Sequence, residues 1–358
     1  MMKRYAVLTV LVLICCNELP IGEEEYNIRG NFDAQEIELT LNNTLTESDQ
    51  YAYLGISPNL IVGQNNDYES RILLKFDFAD TSYQGLDEIK LIMHTNLNFN
   101  NDTIRVRIHL LVHEFDEEQA NWFQRMSGEP WETEGGDFGD DSLRFAELKG
   151  DSLLITFNYI ELDEIINSDG MIIIPVDSGF SYFYSKEGGY APKFLIVKND
   201  VTTSIQLSDD CHIVTGPEAF YTESWIGSGI PYRNYVKFEY DSILDDKKAV
   251  YAELTFRPEH HFVMRDSIEI GVKQLLEPLD DFNTETGPLI ALERFAADDT
   301  VFNIDVVRHI QHIIEHPDSN FGFFIVLSPE NYEIASYKIT NGSHTLKVGY
   351  ILPPQERY

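Results

Sequence analysis

Cationic side chains are scarce in this chain. Only 26 of its 358 residues are Lys or Arg, against 60 Asp or Glu, so the formal net charge is −34 at neutral pH. Proteins bind nucleic acids and anionic lipid headgroups largely through Lys and Arg, which displace counterions from phosphate groups. The composition therefore argues against those partners and against polyanionic polysaccharides, whereas divalent cations would be tolerated. Acidity of this kind also keeps an exported protein soluble.

Cysteine is equally scarce. The chain has three cysteines, and two of them, Cys15 and Cys16, lie close to the start. Once the N-terminal segment is processed, Cys211 has no partner, which excludes a disulfide framework, so the folded cores must be stable without one. We expect Cys211 to be a small buried apolar residue rather than a nucleophile.

Long hydrophobic runs are also missing. The apolar run over residues 6–14 is too short to span a bilayer, which takes about 20 residues. Because Lys3 and Arg4 precede it, the run is typical of a signal peptide, which we assign to residues 1–16.

The end of this segment resembles a bacterial lipobox. Leu13 stands at position −3 relative to Cys16, as that motif requires, whereas Cys15 at −1 departs from the usual Gly or Ala. We therefore expect a lipid on Cys16, an acidic tether over residues 17–32, and a lipid-anchored protein at the outer membrane or cell surface. A plainly cleaved signal peptide, giving a periplasmic or secreted protein, is the alternative.

Recognisable catalytic motifs are absent from the sequence. It contains no G-x-S-x-G nucleophile motif and no Walker or Rossmann glycine pattern. The stretch HIIEH at 312–316 matches the H-x-x-E-H pattern of zinc proteases, but a helical projection places His309, His312 and His316 on the solvent flank, and Pro317 ends the helix. The sequence therefore predicts a protein without enzymatic activity. A hydrolase that uses an unrecognised carboxylate pair is the weaker alternative.

What the sequence does contain is a repeated alternation of apolar and polar residues, which is typical of half-buried strands. RILLKFDF at 71–78 returns as RNYVKFEY at 233–240, and later strands return in the same order. A short helix is predicted in each copy, within 159–170 and within 302–322. The repeat predicts an all-β protein built from two tandem antiparallel β-sandwiches.

The repeat also predicts the domain boundaries. The first sandwich is expected at 33–199 and the second, more divergent one at 204–353, with a seam near the stretch NDVTTS. The second copy lacks the irregular, tryptophan-containing segment that the first copy carries at 121–141.

Four features of the first copy together resemble the DNRLRE domain family, which is similar to carbohydrate-binding module family 96. They are IVG at 61–63 before RILLKFD, the segment NWFQRMSGEPW, the stretch GGDFGD and the closing APKFLIV. The resemblance covers 33–198 and extends more weakly over 205–352, and the literal six-letter signature is absent from both copies. It implies jelly-roll-like sandwiches in an exported protein, and it implies polysaccharide binding.

The tryptophan segment is the place where we expect such binding. Trp122 and Trp131 are predicted to stack on sugar rings, and Arg125, Asp137 and Phe138 to complete the carbohydrate site. The alternative is that both indoles close the end of the sandwich. In that case the protein is a structural or adhesive surface spacer without a sugar site.

Clustered carboxylates in the same segment suggest a structural calcium ion. Calcium takes six to eight oxygen ligands, and Asp137, Asp140 and Asp141 would supply several of them from one loop. The spacing matches no EF-hand loop, and solvated acidic turns are the alternative. No other cofactor is expected.

Overall fold

The computed structural model describes residues 35–49, 53–78, 85–217 and 222–351. The expected signal peptide, the tether and Cys16 lie outside the described residues. Antiparallel sheets in a sandwich-like arrangement account for most of the described chain, with only two short α-helices, so the predicted all-β class is confirmed. Neither helix has the length and apolar character needed to cross a bilayer.

Short strands follow one another along the described chain and are interrupted twice by an α-helix. The strands are β1 (Gln35–Leu39), β2 (Leu41–Ser48), β3 (Asn59–Gln64), β4 (Glu69–Phe76), β5 (Glu88–His94), β6 (Arg105–Leu110), β7 (Gln124–Met126), β8 (Glu129–Pro130), β9 (Arg144–Glu147), β10 (Ser152–Thr156), β11 (Met171–Pro175), β12 (Gly179–Tyr184), β13 (Lys193–Lys198), β14 (Val201–Thr215), β15 (Ser224–Ser228), β16 (Tyr232–Phe238), β17 (Lys248–Phe256), β18 (Pro258–Phe262), β19 (Ser267–Leu275), β20 (Thr286–Ala296), β21 (Phe302–Asp305), β22 (Phe323–Leu327), β23 (Ala335–Ile339) and β24 (Thr345–Ile351). The helices are α1 (Tyr159–Ile166) and α2 (Val307–Glu315), and single 3₁₀ turns occur at Ser242–Leu244 and Pro317–Ser319.

Two structural units have the same strand order. In the first unit, residues 53–217, the two sheets run β10-β5-β13-β14 and β14-β4-β11-β6-β9. In the second unit, residues 35–49 with 222–351, they run β21-β17-β24-β1 and β2-β16-β22-β19-β20. The strand-by-strand match shows that the two units are copies of one sandwich, as the repeat predicted.

The strands that complete the two units are exchanged between the repeats. In the first unit β14 pairs with β13 and then, after a bulge near Leu207, with β4. In the second unit the equivalent places beside β24 and β16 are taken by β1 and β2, from the opposite end of the sequence. The predicted domain boundaries are therefore wrong in two places: residues 35–48 belong to the second unit, and residues 204–215 belong to the first.

A tight turn explains the exchange. Asn199 and Asp200 have φ of 50° and 62°, the left-handed conformation that a two-residue hairpin turn requires. This turn folds β14 directly back onto β13, with Lys198 opposite Val201. The seam expected from the sequence is thus a hairpin, and β14 fills the first unit before it can reach the second.

Each sandwich has its own apolar core, and one helix packs on each. In α1 the side chains of Leu162 and Ile165 are buried, and Asn158 and Glu161 form a reciprocal capping box at the N-terminus. In α2 the buried apolar residues are Ile310, Ile313 and Ile314. Cys211 is free and buried beside its strand partner Leu73 in an apolar cluster, as expected from the sequence, and burial raises the pKa of its thiol.

The two units also share a buried interface. Tyr182 of the first unit is fully buried, stacks on Phe99 with ring centres 4.0 Å apart, and approaches the backbone of Ile334 in the second unit. The Tyr68 hydroxyl donates to Ser336 Oγ at 2.8 Å across the same interface. Aromatic rings and satisfied hydrogen bonds therefore fix the units against each other in addition to the exchanged strands.

Candidate functional site

The tryptophan segment covers the outer face of a sheet of the first unit. Trp122 and Trp131 are only 7% and 5% exposed, and both pack in the cluster that contains Leu73 and Cys211. The indole N–H of Trp131 donates to the carbonyl of Asn121 at 2.8 Å. Because the indoles contact the protein interior, their faces are not presented to a sugar ring.

The other residues predicted for the carbohydrate site also make structural contacts. Arg125 forms an ion pair with Glu129 and donates to the carbonyl of Glu114. Phe138 packs against the same cluster as the two indoles, and Arg71 lies over its ring at 5.7 Å. The segment does bring its predicted residues together, but the geometry matches the alternative in which the indoles close the sandwich.

The carboxylates proposed as calcium ligands are not gathered around one point. Asp137 is buried, and its two oxygens accept the backbone N–H groups of Glu132 and Thr133 at 2.9 and 2.8 Å. Asp140 and Asp141 are exposed. Across the described residues no group of three or more His, Cys, Asp or Glu side chains is arranged to hold a metal ion.

The arginine of the repeated template proves to anchor the covering loop in each unit. Arg71 lies over the ring of Trp122 at 4.6 Å and donates to the carbonyl of Gly135 at 2.7 Å. At the equivalent place Arg233 lies over Phe282 at 3.8 Å and donates to the Phe282 carbonyl at 2.9 Å. The second unit therefore has its own, shorter covering loop at residues 276–285. Sequence comparison of the two copies missed this loop because Phe282 replaces a tryptophan.

Removal of this anchor is expected to weaken the second unit. Arg233 also pairs with both carboxylate oxygens of Glu330, at 2.7 and 3.0 Å, and its side chain is 17% exposed. Substitution Arg233→Met should lower the free energy of unfolding by about 2–3 kcal/mol, since a charged hydrogen bond and a cation–π contact are both lost. Urea denaturation measures the change. The control is Arg105→Met, which removes an equally well formed but exposed pair with Asp177 and should leave the midpoint nearly unchanged.

The shorter loop leaves part of the second unit's outer sheet face open. A hollow of about 480 Å³ lies there, floored by Leu45, Tyr235 and Phe321 and edged by Lys237 and Asn43, among others. In the first unit the same sheet positions are Cys211 and Leu73, which lie under the tryptophan segment. The hollow exists because the second copy lacks that segment.

A second hollow of about 440 Å³ adjoins the first. Phe321 and Asp318 line both hollows, and His316 and Glu315 stand at the far side of the second one. Together the two form a groove with an aromatic ring at its centre and both signs of charge on its rim. We call this feature the open groove.

The histidines of α2 do not form a zinc site. His309 was expected on the solvent flank, and this expectation is wrong: the side chain is 1% exposed and packs edge-on against Phe323, with ring centres 5.5 Å apart. His312 and His316 lie nearer the surface, with ring centres 5.0 Å apart. The buried face of α2 therefore includes His309, whose imidazole packs against Phe323, whereas Val307 is only partly buried.

Burial of His309 predicts acid sensitivity. Desolvation, together with the charge of neighbouring His312, lowers the pKa of His309 from 6.5 to about 4. The unfolded chain takes up this proton near pH 6.5 and the folded chain does not, so this contribution to stability is lost as the pH falls from 6.5 towards 4. The variant His309→Leu should therefore gain about 2 kcal/mol of stability relative to the natural chain between pH 7 and pH 4.5.

Urea denaturation at a series of pH values measures this difference. The matched control is His316→Gln, because His316 is exposed at the end of the same helix. Its stability should follow that of the natural chain over the whole pH range. Equal pH profiles for the His309→Leu variant and the natural chain would contradict the assignment.

Two ionisable side chains of β14 are buried without joining each other in a hydrogen bond or ion pair. Asp210 and His212 stand two residues apart on the strand and are 0% and 1% exposed. Desolvation raises the pKa of Asp210 to about 7 and lowers the pKa of His212 to about 3. Neither residue lines the two hollows of the open groove.

Comparison with known proteins found no match, so the functional proposal rests on the geometry of the structure. No protein-family model matches the chain, and no curated protein matches it either. The resemblance to the DNRLRE domain family stays a prediction.

Proposed function

We propose that the protein is a non-enzymatic, exported surface protein whose two sandwiches act together as one rigid spacer or adhesive scaffold. The observation that carries this proposal is the placement of β1 and β2 in the second unit. After β2 the chain continues into the first unit, and after residue 217 it returns to the second. Two covalent connections therefore join the units. A hinge motion would have to strain both connections or break the buried contacts of Tyr182 and Tyr68.

Other features agree with a structural role. Trp122 and Trp131, which the sequence offered for sugar binding, are buried. The expected lipid on Cys16 would hold the scaffold at a membrane surface. The net charge of −34 would keep such a scaffold soluble and away from anionic lipid headgroups.

Small-angle X-ray scattering tests the rigidity. A flexible insertion of ten Gly and Ser residues between Pro217 and Thr222 would let freely linked units separate by roughly 15–20 Å. We expect the maximum particle dimension to stay unchanged, because the other connection, which follows β2, and the buried interface still hold the units together. An increase of that size would show that the units are a flexible tandem and would refute the spacer proposal.

The open groove favours a second candidate function, which is binding of a neutral polysaccharide. Its volume suits sugar rings, Phe321 offers an aromatic surface, and Lys237 and Asn43 offer hydrogen-bonding groups. The chain offers a matched pair of variants, since Lys237 and Lys75 occupy the same place in the two copies of the template. If the groove binds glycan, Lys237→Ala should weaken binding on a glycan array about tenfold, whereas Lys75→Ala should not. No binding by the natural chain would leave only the spacer role.

A further inference from the structure

The segment that forms β1 and β2 contacts the second unit in the manner of a separate ligand. It pairs with β24 over residues 35–39 and with β16 over most of residues 41–48. Among the described residues, each hydrogen bond made by the side chains of residues 35–48 joins the second unit. Examples are the Thr46 hydroxyl, which donates to the Glu223 carbonyl, and Gln35, which accepts from the Tyr350 hydroxyl. Its covalent tie to the first unit is the short connection over residues 49–52, since Leu54 already packs in a cluster with Ile61 of the first unit.

The site that receives this segment is incomplete without it. Leu39 and Leu45 bury their side chains in two separate apolar clusters of the second unit. Asn234 is fully buried, and its amide donates to the Leu45 carbonyl at 3.0 Å. A vacant site would expose two unpaired strand edges and remove both segment partners of the Asn234 amide, which are the Thr44 hydroxyl and the Leu45 carbonyl.

We propose that this site also accepts the 35–48 segment of a second copy of the chain, which gives strand-exchanged oligomers. Every copy carries one segment and one site, and a segment from another copy makes the same strand pairs and the same side-chain contacts. The intramolecular and intermolecular forms then differ mainly in the entropy of the connection. The occupant is a second copy because the site recognises this particular sequence through Leu39, Leu45 and Thr46. The inference concerns assembly and does not depend on the spacer role.

The balance between the two forms depends on protein concentration. This short connection gives the chain's own segment an effective concentration on the order of 1 mM. Refolding at about 10 μM should therefore give about one exchanged copy in a hundred, and refolding near 1 mM should give about half.

A disulfide trap tests the proposal on the full chain, with Cys15 and Cys16 changed to serine. Glu38 and Lys347 face each other on the exposed side of the β1–β24 pair. One chain carries Glu38→Cys and a second carries Lys347→Cys, and the two are unfolded and refolded together under oxidising conditions. A disulfide between positions 38 and 347 then forms only when the segment of one copy lies in the site of another. The double variant in one chain is the control for the geometry.

Mass spectrometry of the digested product gives the result. We expect the intermolecular 38–347 disulfide to form. Its yield should rise steeply between about 10 μM and 1 mM, as the effective concentration predicts. An excess of synthetic peptide 35–48 should suppress this disulfide, because the peptide would occupy the site. The proposal is overturned if the double variant forms the 38–347 disulfide but the mixture of single variants never does, even after refolding near 1 mM.

Discussion

A permuted chain that begins at residue 53 and carries residues 34–49 after Ile351 is expected to fold as stably as the natural chain. Tyr350 lies opposite Gln35 in the antiparallel β24–β1 pair, so the end of β24 lies beside the start of β1 and a two-residue turn can join them. An Asn-Gly turn there reproduces the hairpin that Asn199 and Asp200 make in the first unit. The permuted chain keeps all strand pairs and should melt within a few degrees of the natural one.

The permuted chain from which residues 34–49 are omitted is expected to be much less stable. It loses one of the two strand partners of β24 and of β16, together with the core side chains of Leu39 and Leu45. The second unit should therefore unfold while the first unit stays folded. Circular dichroism and hydrogen exchange of each unit measure this outcome. Protection of the second unit in the chain that lacks the segment would show that β1 and β2 are dispensable.

Substitution Trp131→Ala is expected to lower the free energy of unfolding by about 3–5 kcal/mol. The indole is 5% exposed, packs in the cluster with Leu73 and Cys211, and donates its N–H to the Asn121 carbonyl. Removal leaves a cavity over the sheet and an unsatisfied carbonyl, and the melting temperature of the first unit should fall by roughly 10 °C. Differential scanning calorimetry measures the shift.

The control for Trp131 is an exposed aromatic residue of the same unit. Tyr190 is 63% exposed, so Tyr190→Ala should leave the melting temperature nearly unchanged. A stable Trp131→Ala variant that loses glycan binding would instead restore the tryptophan segment as a carbohydrate site. This result would also contradict the packing described for Trp131.

Alternation in the sequence was a sound guide to the strands because it is a local property. Each strand with one buried face shows its period directly, as in RILLKFDF, and two copies of one strand order had to give two similar sandwiches. The tryptophan segment carried no such signal. Trp122 and Trp131 stand in an irregular stretch, and composition alone does not show whether an indole faces the sheet or the solvent.

The sequence around the expected domain seam can be interpreted either as a boundary between domains or as a hairpin turn. Asn199 and Asp200 stand between two alternating stretches, which is a typical hairpin pattern. Read as a turn, they would have joined β14 to the first unit. The placement of residues 35–48 in the second unit could not be predicted in the same way. It depends on pairing between strands more than 180 residues apart in sequence, such as Thr46 opposite Asn234.

The sequence by itself therefore determined the all-β class, the two copies and the buried face of most strands, because these depend on side chains a few residues apart. Only the tertiary structure decided which unit each end strand completes, what covers each outer sheet face, and that Arg71 and Arg233 anchor those covers. These features depend on contacts between distant segments and on the lengths of the connections between them. Which strands pair depends on which distant segments the connections allow to meet, and residue type alone does not encode this.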